Sequence, residues 1–253
     1  MKTKSVKKYF IGWKKLIKSA QFTLGPFVEE FEKSFAKFVG VKYCISTNNG
    51  TDALILSLKS LGVQKGDEVI TVCNSFYATA GAIVACGAKP IFVDIDQSNF
   101  TISPTSLKKI LEKDLKIKAV IAVHLYGGAC EIKKISEICN NFNIPLIEDC
   151  AQACGTKFLD KTVGTFGHLA TFSFYPTKNL SALGDGGALL INKSKLDLNI
   201  FRRLRTYGWD SNRDAIQFGI NSRLDEVQAF LLSFNSSVGI ISVELSSLSK
   251  SYL

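Results

Sequence analysis

The chain has 253 residues, 46% of them hydrophobic and 21% charged, with a formal net charge of +9. That balance excludes a disordered or fibrous polymer and allows one large globular domain. The longest apolar runs are strand-sized, so no transmembrane helix is expected.

Seven lysines fall in the first 18 residues, where Lys7-Lys8 and Lys14-Lys15 stand at helical spacing beside Phe10, Ile11, Trp13, Leu16 and Ile17. This stretch reads as a solvated amphipathic helix. It carries no nucleic-acid-binding signature, and no uninterrupted apolar stretch follows to make a secretory signal. Gly25-Pro26 opens a second helix through Phe27, Val28, Phe31, Phe35 and Phe38, and Thr51 to Leu61 is a third, with Leu54, Ile55, Leu58 and Leu61 on one face. Strands are expected at 68–72, 90–94, 119–124, 145–149, 170–174 and 187–191. Helices are expected between them at 77–86, 105–112 and 131–140. Apolar strands alternating with helices predict an α/β fold with a mostly parallel sheet covered on both faces. Ligand groups then belong at strand ends and in the loops that follow. From Ser233 to Leu253 the composition changes: eight serines and only two charged residues, Glu244 and Lys250. Three parts are therefore expected: a helical segment over 1–24, a domain over 25–232 and a serine-rich tail over 233–253. The tail reads as a poor strand or a disordered end.

Two strand ends carry the chemistry. The apolar run ending in Ile147-Glu-Asp149 delivers a carboxylate, and 24 residues later Ser173-Phe-Tyr-Pro-Thr-Lys178 places a lysine just ahead of Gly184-Asp-Gly-Gly187. This is the layout of a pyridoxal phosphate (PLP) site. Lys178 holds the cofactor as a Schiff base and later acts as the base, while Asp149 keeps the ring nitrogen protonated so that the ring accepts electrons. Ser173 is a candidate phosphate-binding hydroxyl. Asn49-Gly50-Thr51-Asp52 precedes a helix and makes a backbone N–H nest for an anion. Phe76 and Tyr77 follow a strand, and Phe76 is preferred for stacking on the ring. The seven cysteines are an odd number without metal spacing. Cys150 and Cys154 have no histidine nearby in sequence. The seven read as reduced and mostly buried in a cytoplasmic protein, with no metal expected.

Further motifs stand in order: Asn49-Gly-Thr-Asp-Ala-Leu54, Gly66-Asp-Glu-Val-Ile70, Val93-Asp-Ile-Asp96, Val123-His-Leu-Tyr-Gly127, Ile147-Glu-Asp-Cys-Ala-Gln-Ala153, Phe172-Ser-Phe-Tyr-Pro-Thr-Lys-Asn179, Arg205-Thr-Tyr-Gly208 and Gly219-Ile-Asn-Ser-Arg-Leu-Asp-Glu226. Over residues 15–232 the chain resembles the DegT/DnrJ/EryC1/StrS aminotransferases, PLP enzymes that aminate keto groups on nucleotide-linked sugars. The resemblance implies the large domain of the aspartate-aminotransferase-like fold (fold type I), with Lys178 as the Schiff-base lysine and Asp149 as the pyridine partner. It implies Gln152 near the ring, Phe76 packed on it, and Ser173 with the Gly50 and Thr51 amides on the phosphate. Asn221 matches a residue given by the partner subunit of a homodimer. The resemblance also implies glutamate as amino donor; the missing nucleic-acid signature and the strand-sized apolar runs add the expectation of no nucleic-acid or membrane partner. Tyr175, where the branch acting at C4 more often has His, favours amination at C3 of a deoxysugar. Relatives continue into a small C-terminal domain that is expected to be missing here, as from a truncated or frameshifted gene. A second expectation follows: a non-catalytic remnant that keeps the fold and PLP affinity.

Overall fold

A computed structural model describes residues 3–113, 116–192 and 197–237. The elements in chain order are α1 (Thr3–Ser19), α2 (Pro26–Val39), β1 (Tyr43–Thr47), α3 (Gly50–Ser60), β2 (Glu68–Val72), α4 (Ala78–Ala85), β3 (Lys89–Val93), α5 (Pro104–Leu111) and β4 (Ile117–Val123). They continue with α6 (Ile132–Asn141), β5 (Leu146–Asp149), the short pair β6 (Lys157–Phe158) and β7 (Lys161–Thr162), β8 (Leu169–Ser173), β9 (Gly187–Ile191), α7 (Leu198–Leu204) and α8 (Glu226–Ser237).

Seven strands form one sheet in the order β1-β9-β8-β5-β4-β2-β3. The pairs β2–β3, β2–β4, β4–β5 and β5–β8 are parallel, and β9 runs antiparallel to both β8 and β1. The mostly parallel sheet expected from the apolar strands is present. Parallel strands buried on both faces lack polar alternation, which is why they stood out in the sequence. Ile45, Ile147, Leu169 and Leu189 point to the face covered by α3, α4 and α7. Their neighbours Cys44, Ala170 and Leu190 face α2 and α8, while Val120, Ala122 and Leu146 face α5 and α6. This is the two-residue period of a pleated strand.

Three departures from expectation have local causes. Strand β1 adds to the strands expected from the sequence, and its polar Ser46 and Thr47 are both buried. Glu32 accepts from the Ser46 amide and hydroxyl, both at 2.8 Å, and Arg205 Nη1 reaches the Ser46 carbonyl at 3.0 Å. The seven-residue α7 and the two-residue pair β6–β7 are too short to show periodicity. The expected amphipathic N-terminal helix is present with part of its apolar side covered: Leu16 is fully buried, and a Cβ on Gly12 of α1 would collide with the Phe230 ring of α8. Finally, the composition change at Ser233 does not end α8, which runs to Ser237 with Phe234 buried. The remainder of the expected tail lies outside the described residues.

Glu226 closes the fold over a long sequence distance. Its side chain is fully buried. Oε1 accepts from the amides of Gly25 and Val28 at 2.9 and 2.8 Å, and Oε2 accepts from Phe27 at 2.9 Å. These amides open α2, whose Gly25 N-cap offers no side-chain oxygen of its own. A carboxylate at a helix N-terminus satisfies orphan donors and complements the helix dipole. Glu226→Ala leaves three amides at a buried helix start without acceptors. It is expected to cost at least about 3 kcal/mol, read as a lower urea midpoint with unchanged slope. Glu226→Gln, which keeps one acceptor oxygen, is expected to lose less.

Candidate active site

The C-terminal ends of β1, β2, β4, β5 and β8 share one edge of the sheet, and β9 begins there. The register sets Thr47 and Ser173 on either side of Gly187, and Asp149 between Val123 and Thr171. At the β1 and β8 ends the backbone approach is close. A Cβ on Gly187 would collide with the Asn49 carbonyl, and a Cβ on Gly50 would sit 2.8 Å from Ser173 Cβ. Only glycine at both positions lets the start of α3 settle against Ser173. Asn49 caps that helix, its Oδ1 accepting from the Asp52 amide at 2.8 Å. The Gly50 and Thr51 amides, in the first turn, have no carbonyl four residues back within the helix. Ser173 is half-buried, and its Oγ accepts from the Tyr175 amide at 3.4 Å.

Asp149 is buried, and burial pushes its carboxyl above the ordinary value. The Ala151 amide at 3.1 Å and the Thr79 hydroxyl at 2.9 Å oppose that shift, with a smaller contribution from the charge of Lys178. Thr79 Oγ1 also meets Ser75 Oγ at 2.8 Å. Lys178 is half-buried in the turn after β8, its amide donating to Tyr175 O at 2.8 Å. The structure thus brings Asp149 within electrostatic range of Lys178 and sets Gly50 against Ser173. Gln152 lies in the loop after β5, where its Oε1 accepts from the Tyr126 amide at 3.1 Å. Phe76 is 56% exposed and lies against Tyr77, with ring centroids 4.2 Å apart. Asn221 is exposed, and its Oδ1 accepts from Arg223 Nε at 2.8 Å. Its neighbour Ser222 is buried and accepts from the Asn48 amide at 3.1 Å.

Sequence reasoning missed Thr79 and Ser75. The available signal was a hydroxyl pair four residues apart where a small-residue helix begins. It also found no histidine near Cys150. In space, His124, Glu148 and Cys150 place their ligand-type atoms within 4.8 Å of one another, all buried. These groups are committed elsewhere. Glu148 Oε1 accepts from the Phe166 and Gly167 amides, and Oε2 accepts from the Gly164 amide and His124 Nε2. His124 Nδ1 accepts the Cys130 N–H at 3.2 Å, so Nε2 carries the proton. Burial pushes the Cys150 thiol up to about 12, leaving it a neutral thiol at neutral pH.

The DegT/DnrJ/EryC1/StrS aminotransferase family model matches residues 7–235. The chain is 43% identical over 218 residues to the pleiotropic regulatory protein of Geobacillus stearothermophilus, covering 86% of this chain and 58% of that one. It is 41% identical over 221 residues to the UDP-2-acetamido-2-deoxy-3-oxo-D-glucuronate aminotransferase of Pseudomonas aeruginosa, covering 87% and 61%. The crystal structure of NtdA from Bacillus subtilis with bound cofactor PMP superposes with a TM-score of 0.85 at 31% identity, covering 97% of this chain and 55% of that one. The chain therefore spans about 60% of the length of these curated relatives, and the fold is the aspartate-aminotransferase-like α/β fold of PLP aminotransferases. No helix among the described residues is long and apolar enough to cross a membrane.

Asp149 generates a pH prediction. Its folded-state value lies above the ordinary aspartate value of 3.8, so its stability contribution is full below that value and is lost as pH rises through the folded one. Asp149→Asn is expected to raise the melting temperature of the cofactor-free protein at neutral pH, and the gain should shrink as pH falls toward about 4. Equal shifts at both pH values would contradict the assignment of a burial penalty.

Proposed function

We propose that this chain, which belongs to the DegT/DnrJ/EryC1/StrS aminotransferase family, binds PLP and uses it to move an amino group from glutamate to a nucleotide-linked keto-deoxysugar, at C3. The observation that carries the reading is the buried Asp149, short of neutralising partners, facing the same sheet edge as Lys178 and the Gly50–Ser173 contact. These residues fit the cofactor. A buried carboxylate whose charge is disfavoured gains from a cationic ring nitrogen. A glycine-tight helix start beside a serine suits a phosphate.

In this reading PLP, when bound, supplies the electron sink that a peptide lacks. Lys178 Nζ would hold the cofactor through its aldehyde carbon and would be the base placed to carry the substrate proton. Asp149 keeps the ring nitrogen protonated, held in place by Thr79 Oγ1 and the Ala151 amide. Ser173 Oγ and the Gly50 and Thr51 amides take the phosphate. Phe76 covers one ring face, and Gln152 lies beside the ring. Asn221 acts across a homodimer on the partner's phosphate, and its exposure on one protomer leaves it available to do so. Position C3 rests on Tyr175 and on the Pseudomonas aeruginosa relative named for a 3-oxo sugar.

Spectra test this. Protein reconstituted with PLP is expected to show the visible band of a lysine-bound cofactor, and glutamate should remove it. Lys178→Ala should lack the band, and Asp149→Ala should slow the glutamate-driven change by at least about a hundredfold. A Lys178→Ala protein with the parent's band and rate overturns the reading. A stable band that glutamate leaves untouched favours the alternative, a chain that holds PLP without turnover.

A further inference from the structure

Asp149 ends β5, and each of its two oxygens has a donor. Oδ1 takes the Ala151 amide at 3.1 Å, and Oδ2 takes the Thr79 hydroxyl at 2.9 Å. One donor on each oxygen fixes the rotation of the carboxylate and leaves further lone pairs open. Thr79 is buried, and its Oγ1 has a second neighbour, Ser75 Oγ at 2.8 Å. A hydroxyl carries one proton. An ionised Asp149 can only accept, so the Thr79 proton is spent on Oδ2. Thr79 Oγ1 must then accept from Ser75, and Ser75 is the donor. When Asp149 is protonated, Oδ2–H can donate to Thr79 and Thr79 to Ser75, so the direction is no longer fixed. The two hydroxyls point toward the carboxylate only in its charged form, where each bond polarises the next.

The pair is built into the turn that leads from β2 into α4. Ser75 and Thr79 stand four residues apart, the spacing that sets side chains on one side of a helical turn. The Ser75 amide donates to Cys73 O at 2.9 Å and the Thr79 amide to Phe76 O at 3.1 Å. Asn74 Nδ2 ties the turn to Phe100 O at 2.9 Å. Phe76 lies between the two hydroxyl residues, so one short segment sets both the aromatic proposed for the ring face and the hydroxyl on Asp149. The other groups around Asp149 are different in kind. Lys178, in the turn after β8, favours its charge less than either hydrogen bond does. His124, after β4, carries its proton on Nε2 toward Glu148 and is neutral. Glu148 faces the other side of β5, Cys150 is a neutral thiol, and Thr171 beside Asp149 on β8 is uncharged.

We infer that Ser75 and Thr79 are positioning residues for Asp149: the directed pair, Ser75 to Thr79 to Oδ2, holds the carboxylate charged and fixed in rotation for a cationic partner. Both act through Asp149. Burial by itself favours a neutral carboxyl, which cannot keep a ring nitrogen protonated; hydrogen bonds to the charged form work against that. The value of the pair to amino transfer rests on the proposed reading that Asp149 serves the pyridine nitrogen of PLP.

Thermal unfolding of the cofactor-free full chain at about pH 4 and about pH 8 tests it. Removing a donor from the charged form raises the folded-state value of Asp149 further, so more stability is lost as pH rises. Thr79→Val is therefore expected to lower the melting temperature more at the higher pH. Ser75→Ala should do the same to a smaller extent, and because Ser75 is half-buried it carries the comparison if Thr79→Val does not fold. Thr79→Ser keeps the hydroxyl and should recover the parent's pH profile. In the Asp149→Asn background the pH dependence of the Thr79→Val loss should vanish. With PLP bound, Thr79→Val should slow the glutamate-driven spectral change at least about tenfold and Ser75→Ala at least about threefold. A Thr79→Val loss equal at both pH values, a pH dependence that survives Asp149→Asn, or a Thr79→Ser protein that behaves like Thr79→Val each overturns the inference. The PLP band on the same samples keeps the two readings apart. A pH-linked loss in the cofactor-free protein, with no band from the parent, removes the aminotransferase reading alone. A parent band that glutamate removes, with pH-independent losses in the variants, removes this inference alone.

Discussion

A single carboxylate without access to water fixes the site end of this sheet. Glu148 is fully buried, and both its oxygens are saturated: by the amides of Gly164, Phe166 and Gly167 at 2.7 to 2.8 Å and by His124 Nε2 at 3.0 Å. Burying a charge costs several kcal/mol, and only full hydrogen bonding offsets it. The donors come from the residue after β4 and from the loop before β8. Meeting the needs of Glu148 therefore holds three segments at one spacing. That spacing puts the end of β5 beside the end of β8, from which Ser173 and Lys178 emerge.

The next residue on the strand has the opposite character. Asp149 points to the other face and has two donors, Thr79 and the Ala151 amide, where Glu148 has four. Burial consequently dominates, and its carboxyl is held above the ordinary range. Adjacent carboxylates are thus divided by their surroundings into a structural one and one that gains from a cationic partner. The same division explains why the buried His124, Glu148 and Cys150 form a brace: all of the histidine and carboxylate donor and acceptor positions are spent, and the thiol is neutral.

The sheet was legible because its central strands are apolar runs, and the placing of Asp149 and Lys178 at one sheet edge was legible because Asp149 ends one such run and Lys178 follows another. What stayed hidden depends on contacts across long sequence separations. Thr79 reaches Asp149 over 70 residues, and Ser46 is buried only because Glu32 and Arg205 meet it. The reversed direction of β9 has no local signature either; Gly187-Ala-Leu-Leu-Ile191 reads like its parallel neighbours. Spacing in the sequence separated Cys150 from any histidine, whereas the parallel register of β4 and β5, with Val123 opposite Asp149, lays His124 beside it.

The motifs that carry the family resemblance do not all belong to the site. Glu226, from the Leu-Asp-Glu run, spends its carboxylate on three amides at the start of α2. Arg205, from Arg-Thr-Tyr-Gly, spends one guanidinium nitrogen on Glu32 and on Ser46 of β1. Both tie the segment 205–226 to the first fifty residues, and so both set where Trp209, Arg213 and Asn221 are presented. Both contacts close the fold, and a chain that never turned over would need them equally. Asp149 differs, because its surroundings leave a demand unmet: burial disfavours its charge. A fold tolerates such unmet demand when a ligand meets it, and that physical asymmetry separates candidate site residues from family markers.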